Sequence, residues 1–276
     1  MENEFIKRLP FWKWALLLIG MFVIFIGLMS VSWSIDGIHG NSLWSRVAVA
    51  LVSSSFFILI YSLLVKRIER RRVKEFSIFK MGKHLSAGFL VGLLFMSVSI
   101  GIMAILGCYR LSAVQWNARY VFISLISYWT VAVTEEIAFR GVVFRMIDER
   151  WNVGVALVFS ALLFGLMHLM NSNSTLWSAI AIALEAGVLL GAAYKMSGTL
   201  WMPIGIHWAW NFAEGTLFGM PVSGVADEYA LITPTISGTG WITGGPFGLE
   251  ASLVTVMVGM ALTFLFLFYW RKSKQR

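Results

Sequence analysis

Six residues of this chain combine acid, base and amide chemistry at helical spacings. Glu135 and Glu136 are adjacent, and Arg140 follows Glu136 by four positions. Farther along, His168 stands four after Phe164, and His207 stands four before Asn211. Residues four apart share a helix face, so Glu136 and Arg140 can pair, with the glutamate on the favourable N-terminal side. Glu135 is rotated by about 100° and need not share that partner. A carboxylate beside an imidazole can take a proton from water. A second imidazole and a carboxamide can donate hydrogen bonds to a developing oxyanion. Water attack on an amide carbonyl needs those parts. The same side chains admit another use, a metal site with Glu135, His168 and His207 as ligands to Zn²⁺.

Singly, each residue has a plainer reading. Interfacial charges solvate helix ends, a lone histidine on an apolar face is usually structural, and Asn211 could be helix–helix glue worth about 0.6–2 kcal/mol. Their surroundings favour a shared site. "VTEEIAFRGVVFR" follows "RYVFISLISYWTVAV" directly, and a charge at the centre of a bilayer helix costs about 2.5–3.5 kcal/mol on insertion scales. His168 and His207 lie in equally apolar runs.

The elements that must position these groups are membrane helices. The 276 residues are 58% hydrophobic and 13% charged, with mean hydropathy +0.78, against about 25% charged in a soluble domain. Eight stretches approach the ~20 apolar residues that a spanning helix needs: Phe11–Trp33, Val47–Val65, Leu85–Cys108, Tyr120–Phe139, Val153–Met170, Leu176–Tyr194, Leu200–Phe218 and Leu249–Trp270. The first is too long for a cleavable signal and reads as an anchor. The expected fold is all-α, a polytopic membrane protein with about eight transmembrane helices and a catalytic core in the later ones.

The net charge of +8 is distributed for a membrane and not for nucleic acid. With the N-terminus inside, all basic residues except Arg46, Arg110 and Arg119 fall in cytoplasmic segments, as the positive-inside rule requires. Both termini are then cytoplasmic. The basic stretch 66–84 reads as a solvated loop against anionic lipid headgroups, with no aromatic interleaving to suit nucleic acid. His39 and His84 fall in loops or at a helix end. Cys108 is alone and forms no intramolecular disulfide. Residues 219–248 are rich in glycine and proline and read as a loop folded against helix ends.

Counting along the chain supports one meeting of residues. Glu135 and His168 lie about equally far from a turn near Trp151–Asn152, roughly 24 Å along each helix, so an antiparallel hairpin puts them at one depth. His207 is at another depth if Leu176–Tyr194 is straight. A broken start at "SGTLWMP", where Pro203 suits a first helical turn, or a strong tilt would remove the mismatch.

At this point the residues resemble a family. "EEIAFR" is similar to the EExxxR motif of the CPBP (CAAX protease and bacteriocin-processing) intramembrane endopeptidases, "FGLMH" to its FxxxH motif and "HWAWN" to its HxxxN motif, in the family's order. "WNFAEGTLFGMPVSG" and "TGGPFGLE" resemble the downstream region of a bacterial branch. The resemblance covers roughly residues 120 to 260. It implies that 116–276 form the protease core, with loop 219–248 and the last helix, and that 1–115 are variable helices. It further implies a multi-pass protein of the cell membrane, in contact with lipid. Its substrate would be a protein or peptide in or at the membrane. By residue, Glu135 would activate water with help from His168, His207 and Asn211 would stabilise the tetrahedral intermediate, and Glu136 and Arg140 would organise the site. No cofactor would be required, with Zn²⁺ as the alternative. The motifs set neither the substrate nor the oligomeric state.

Glu185, in "AIALEAGVLLG", departs from the apolar residue usual in that family and is expected to face the cavity; pairing with Lys195 would need a large bend. Gly187 and Gly191 make a GxxxG step for close helix packing, and Trp208 and Trp210 flank His207. Two other readings compete: a non-catalytic scaffold or immunity protein of the same fold, and a transporter with Glu135, Glu185 and the histidines as a proton relay. The scaffold reading would gain from a lost motif residue, and none is lost. The transporter reading gains nothing from a chain without the paired repeats that mark many transporters.

Overall fold

The computed structural model describes residues 4–38, 43–227 and 229–275; His39 lies outside them. A chain in hydrocarbon must satisfy its backbone groups internally, and this one does so with helices. They are α1 (Glu4–Arg8), α2 (Phe11–Ile38), α3 (Leu43–Leu64) and α4 (Ile78–Ile105). After strand β1 (Tyr109–Val114) come α5 (Ala118–Glu136), a π-helical segment Ile137–Phe144, and α6 (Arg145–Arg150). Then follow α7 (Val153–Met167), α8 (Leu176–Ile182), a π-helical segment Ala183–Gly187, α9 (Val188–Ser197) and α10 (Trp201–Asn211), which runs on as a π-helical turn, Phe212–Leu217. Strand β2 (Ile232–Ile236), the short α11 (Gly240–Thr243) and α12 (Leu253–Lys274) complete the order. The all-α membrane architecture is as expected, with β1–β2 as a small antiparallel addition.

Seven helical stretches of the described residues are long and apolar enough to cross a membrane. The expected eighth, Leu200–Phe218, is not among them. It comprises 11 α-helical and 6 π-helical residues, about 25 Å in length. It still joins the two ends of the bundle, because β1, which follows α4, pairs with β2, which follows α10. A short helix suffices because its start is already inside the protein. Thr199, Leu200 and Trp201 are buried, the Leu200 N–H donates to the Glu75 carbonyl at 2.9 Å, and the Trp201 indole donates to the Ser77 carbonyl at 3.1 Å. Gly198, in the left-handed conformation at φ +67°, ends α9 and allows the tight turn.

One end of the bundle gathers the basic segments. Arg150 donates to the carbonyls of Ile6, Lys7 and Leu9, Lys195 pairs with Asp148, and Lys195 also lies over the Trp270 ring. The stretch 66–84 is not simply the solvated loop expected. Lys66, Arg67, Arg70 and Arg72 are exposed, but Glu69 and Glu75 are buried. Glu69 pairs with Arg145 at 2.6 Å, and Arg71 bridges Glu69 and Glu75 at 2.8 and 2.6 Å. The Tyr61 hydroxyl contacts Glu75 and the Gly141 carbonyl, each at 3.1 Å. Buried carboxylates need such partners, and the network fastens this loop to the α5–α6 helix.

Small residues set the helix spacing. A methyl carbon added at Gly88 or Gly92 of α4 would overlap the Met202 or Ile206 carbonyl of α10, and one at Gly205 would overlap the Leu85 carbonyl. Gly187 packs on Ala161, and Gly191 on Leu157 and Phe144, the close approach expected of that GxxxG step.

Candidate active site

The hairpin that presents the first four site residues turns where expected. Trp151 ends α6, and the Asn152 side chain caps α7 by accepting from the Val155 N–H at 3.1 Å. The two arms then pair antiparallel. The Phe139 and Phe164 rings meet edge-on at 4.8 Å, and the Arg140 guanidinium lies 4.5 Å from the Phe164 centroid. One turn farther along both arms come Glu135 and Glu136 on one and His168 on the other.

Glu136 is fully buried and its Oε1 has two partners, Arg140 Nη1 at 2.8 Å and His207 Nδ1 at 2.9 Å. The first is the expected helical pair. The second joins α5 to α10 and removes the depth mismatch of His207: α10 begins beneath the 70–77 loop, so seven residues bring His207 level with Glu136. Pro203 sits in its first turn. Arg140 is also fully buried, and its Nη2 donates to the carbonyls of Ala186 and Gly187 at 2.9 and 3.2 Å. Those carbonyls lie at the π-helical segment between α8 and α9, where the ladder is widened and backbone acceptors are released. Gly187 therefore serves twice, by close packing and as an acceptor for Arg140.

Glu135 is left as the sequence suggested. Its Oε2 is buried without a hydrogen-bond partner and stands 4.0 Å from His207 Nε2. His168 Nδ1 is 2.7 Å from the Phe164 carbonyl. A carbonyl only accepts, so Nδ1 carries the proton and Nε2 presents a lone pair in the neutral ring. His168, His207 and Asn211 line one small cavity with Trp210, Ser223 and Glu250. Trp210 thus flanks the site as expected. Trp208 does not line it: its ring packs on Phe89 and Trp129, and its indole donates to the Leu125 carbonyl.

Among the described residues no group of three His, Cys, Asp or Glu side chains is placed to hold a metal ion, and Glu136 on Nδ1 leaves Nε2 as the His207 nitrogen that faces Glu135. Glu185 is fully buried, with neither carboxylate oxygen hydrogen-bonded. Lys195 pairs with Asp148 instead, so the Glu185–Lys195 pair that would have needed a large bend is not made. Glu250 accepts from the Ser223 N–H and hydroxyl at 2.6 and 2.7 Å, and Glu214 accepts from the Trp210 indole at 3.0 Å. Sequence reasoning missed Ser223 and Glu250 at this site. Ser223 comes from a loop with no helical periodicity to place it. Glu250 fell within the apolar stretch Leu249–Trp270, but Leu249–Ala251 is a separate short 3₁₀ turn and the last helix begins only at Leu253.

A buried ion pair holding an imidazole, a second carboxylate without a hydrogen bond and a second imidazole on the facing helix thus lie close together in a multi-pass membrane protein. Residues 117–213 match the family model described as type II CAAX prenyl endopeptidase Rce1-like. The match contains all three motifs and bears out the resemblance read from them. It supports an intramembrane protease of the CAAX type. No curated protein and no solved structure matches the chain.

Proposed function

We propose that this chain is an endopeptidase of the cell membrane that hydrolyses a peptide bond of a membrane-associated protein or peptide. The observation that carries the reading is the division between the two glutamates. Each glutamate has a buried Oε2 without a hydrogen-bond partner, but Glu136 is held through Oε1 by Arg140 and His207, whereas Glu135 stands beside His207 with no such anchor. Glu135 takes the proton from water, with the His168 Nε2 lone pair assisting, and the hydroxide attacks the carbonyl carbon. His207, whose Nδ1–H is given to Glu136, donates from Nε2 as the imidazolium that the two glutamates favour, and its Nε2–H and the carboxamide of Asn211 donate to the oxyanion. The proton on Glu135 then passes to the leaving amine nitrogen. Glu136 and Arg140 position His207 and do not touch the reacting atoms. The residues act without a required metal.

Membrane peptides compared between cells carrying the wild-type chain and a Glu135→Ala copy test this. Loss of specific cleavage products is expected. Asn211→Ala should slow processing by about 10²–10³-fold, as removal of one oxyanion donor does elsewhere. Glu135→Ala with His168→Ala should be little worse than Glu135→Ala alone, because residues acting as a unit are non-additive. Activity should survive strong chelator. Loss restored by Zn²⁺, with about one ion per chain, would overturn the metal-free mechanism and leave the protease standing. Unchanged processing by Glu135→Ala would overturn both and favour the scaffold.

A further inference from the structure

Arg46 and Arg119, two of the three basic residues outside the cytoplasmic segments, line a single cavity of about 550 Å³. It lies between α3, α5 and the stretch before β2, with Ser124, Ser127, Tyr128 and Val131 of α5 in its wall. Val131 is four residues before Glu135, so the cavity runs along the α5 face that continues to the site. Its size is that of a ligand site, not of a packing defect. The acid in its wall, Asp227, already accepts from the Tyr128 and Thr216 hydroxyls at 2.6 and 3.1 Å. The Nε of Arg46 is buried without a hydrogen-bond partner, and an unsatisfied buried donor of a charged group is costly. A guanidinium facing a cavity is a fork for a carboxylate.

We propose that this cavity receives the part of the peptide substrate extracytoplasmic to the scissile bond, and that Arg46, beside Arg119, holds a carboxylate there. The proposal rests on the endopeptidase reading. Arg119 and Glu135 are separated by 16 helical residues, about 24 Å. An extended peptide rises about 3.3 Å per residue. Allowing for the reach of the arginine side chains, the carboxylate lies about 5–7 residues from the cleaved bond. It belongs either to an acidic side chain or to the chain terminus. The hydroxyls of Ser124 and Ser127 suit peptide amides better than the acyl chains of an anionic lipid.

The test uses the full chain carrying Glu135→Ala in neutral detergent, so that binding is read without cleavage. The probes are fluorescein-labelled ten-residue Ala/Leu peptides in three forms: free C-terminus, amidated C-terminus, and amidated with one internal Glu. Fluorescence anisotropy should show at least one carboxylate-bearing form binding about tenfold more tightly than the neutral one, the scale of a charge-assisted hydrogen bond. Which form wins identifies the source of the carboxylate. Adding Arg46→Gln should abolish the preference. Arg46→Lys and the exposed Arg110→Gln should keep it, which separates loss of charge recognition from misfolding. Equal binding of all three peptides, no peptide binding, or a preference untouched by Arg46→Gln would overturn the proposal. So would Arg46-dependent capture of phosphatidylglycerol vesicles without peptide binding, which would make this a lipid headgroup site. Failure of the protease reading shows separately, as unchanged processing in cells carrying Glu135→Ala.

Discussion

Glu136 and Glu135 are neighbours in the chain with opposite assignments, and the difference is testable by stability alone. Glu136 Oε1 binds both Arg140 and His207, so Glu136→Gln or Arg140→Ala strands a buried charge. Removing one partner of a buried pair costs about 3–5 kcal/mol. Glu135→Gln removes only the longer 4.0 Å contact with His207 and should cost less stability than either of the other two. Thermal unfolding of the three variants in detergent checks the order. If Glu135→Gln were the least stable, the division of roles would be wrong.

At the scale of the elements, the seam between α4 and α10 fixes where His207 sits. Gly88, Gly92 and Gly205 allow the two backbones to touch, and His207 is two residues beyond Gly205. Forcing a large side chain into a packed contact costs about 1–3 kcal/mol and moves backbone. Gly205→Leu or Gly88→Leu should therefore lower both thermal stability and substrate processing. Gly20→Leu, on α2 where nothing lies within 4 Å, should leave both unchanged. The π-helical segments Ile137–Phe144 and Ala183–Gly187 also belong to this scale. One carries Arg140 and the other supplies its carbonyl acceptors, so a local widening of two helices completes the buried charge.

For the whole molecule, two predictions follow from the buried charge network around Glu75 and from the topology. Burial raises the Glu75 carboxyl, but hydrogen bonds from Arg71 and the charge of Arg145 outweigh it and hold Glu75 below its ordinary value of 4.5. A carboxylate depressed in the fold contributes its full stability above the unfolded value and loses it as pH falls through the folded one. Unfolding temperature should thus fall as pH drops below about 4.5. Glu75→Gln should be less stable at pH 7 and should show a shallower acid dependence in the same scan. The topology is checked by reporter fusions after Arg72 and within Ala226–Ile236, which should report opposite sides. The pairing of β1 with β2 requires the second fusion to share a side with Tyr109–Val114. The same side for both fusions would refute the eight-pass path.

The sequence by itself determined the membrane class, the helix count within one marginal member, the turn at Trp151–Asn152 and the Glu136–Arg140 pair. These are properties of composition and of local spacing on one or two adjacent helices, and local geometry is what a sequence encodes directly. Tertiary structure alone decided that Glu136 also holds His207, since that contact spans 71 positions and depends on where α10 begins. It also decided that Arg145, counted in the sequence only as a cytoplasmic charge, is buried against Glu69. Ser223 reaches the site from a loop and Glu250 from a short 3₁₀ turn set apart from the last helix, and the Gly88–Gly205 seam pairs glycines far apart in the chain. A buried polar group takes its meaning from whatever satisfies it, and for these residues that partner comes from a distant element, chosen by packing.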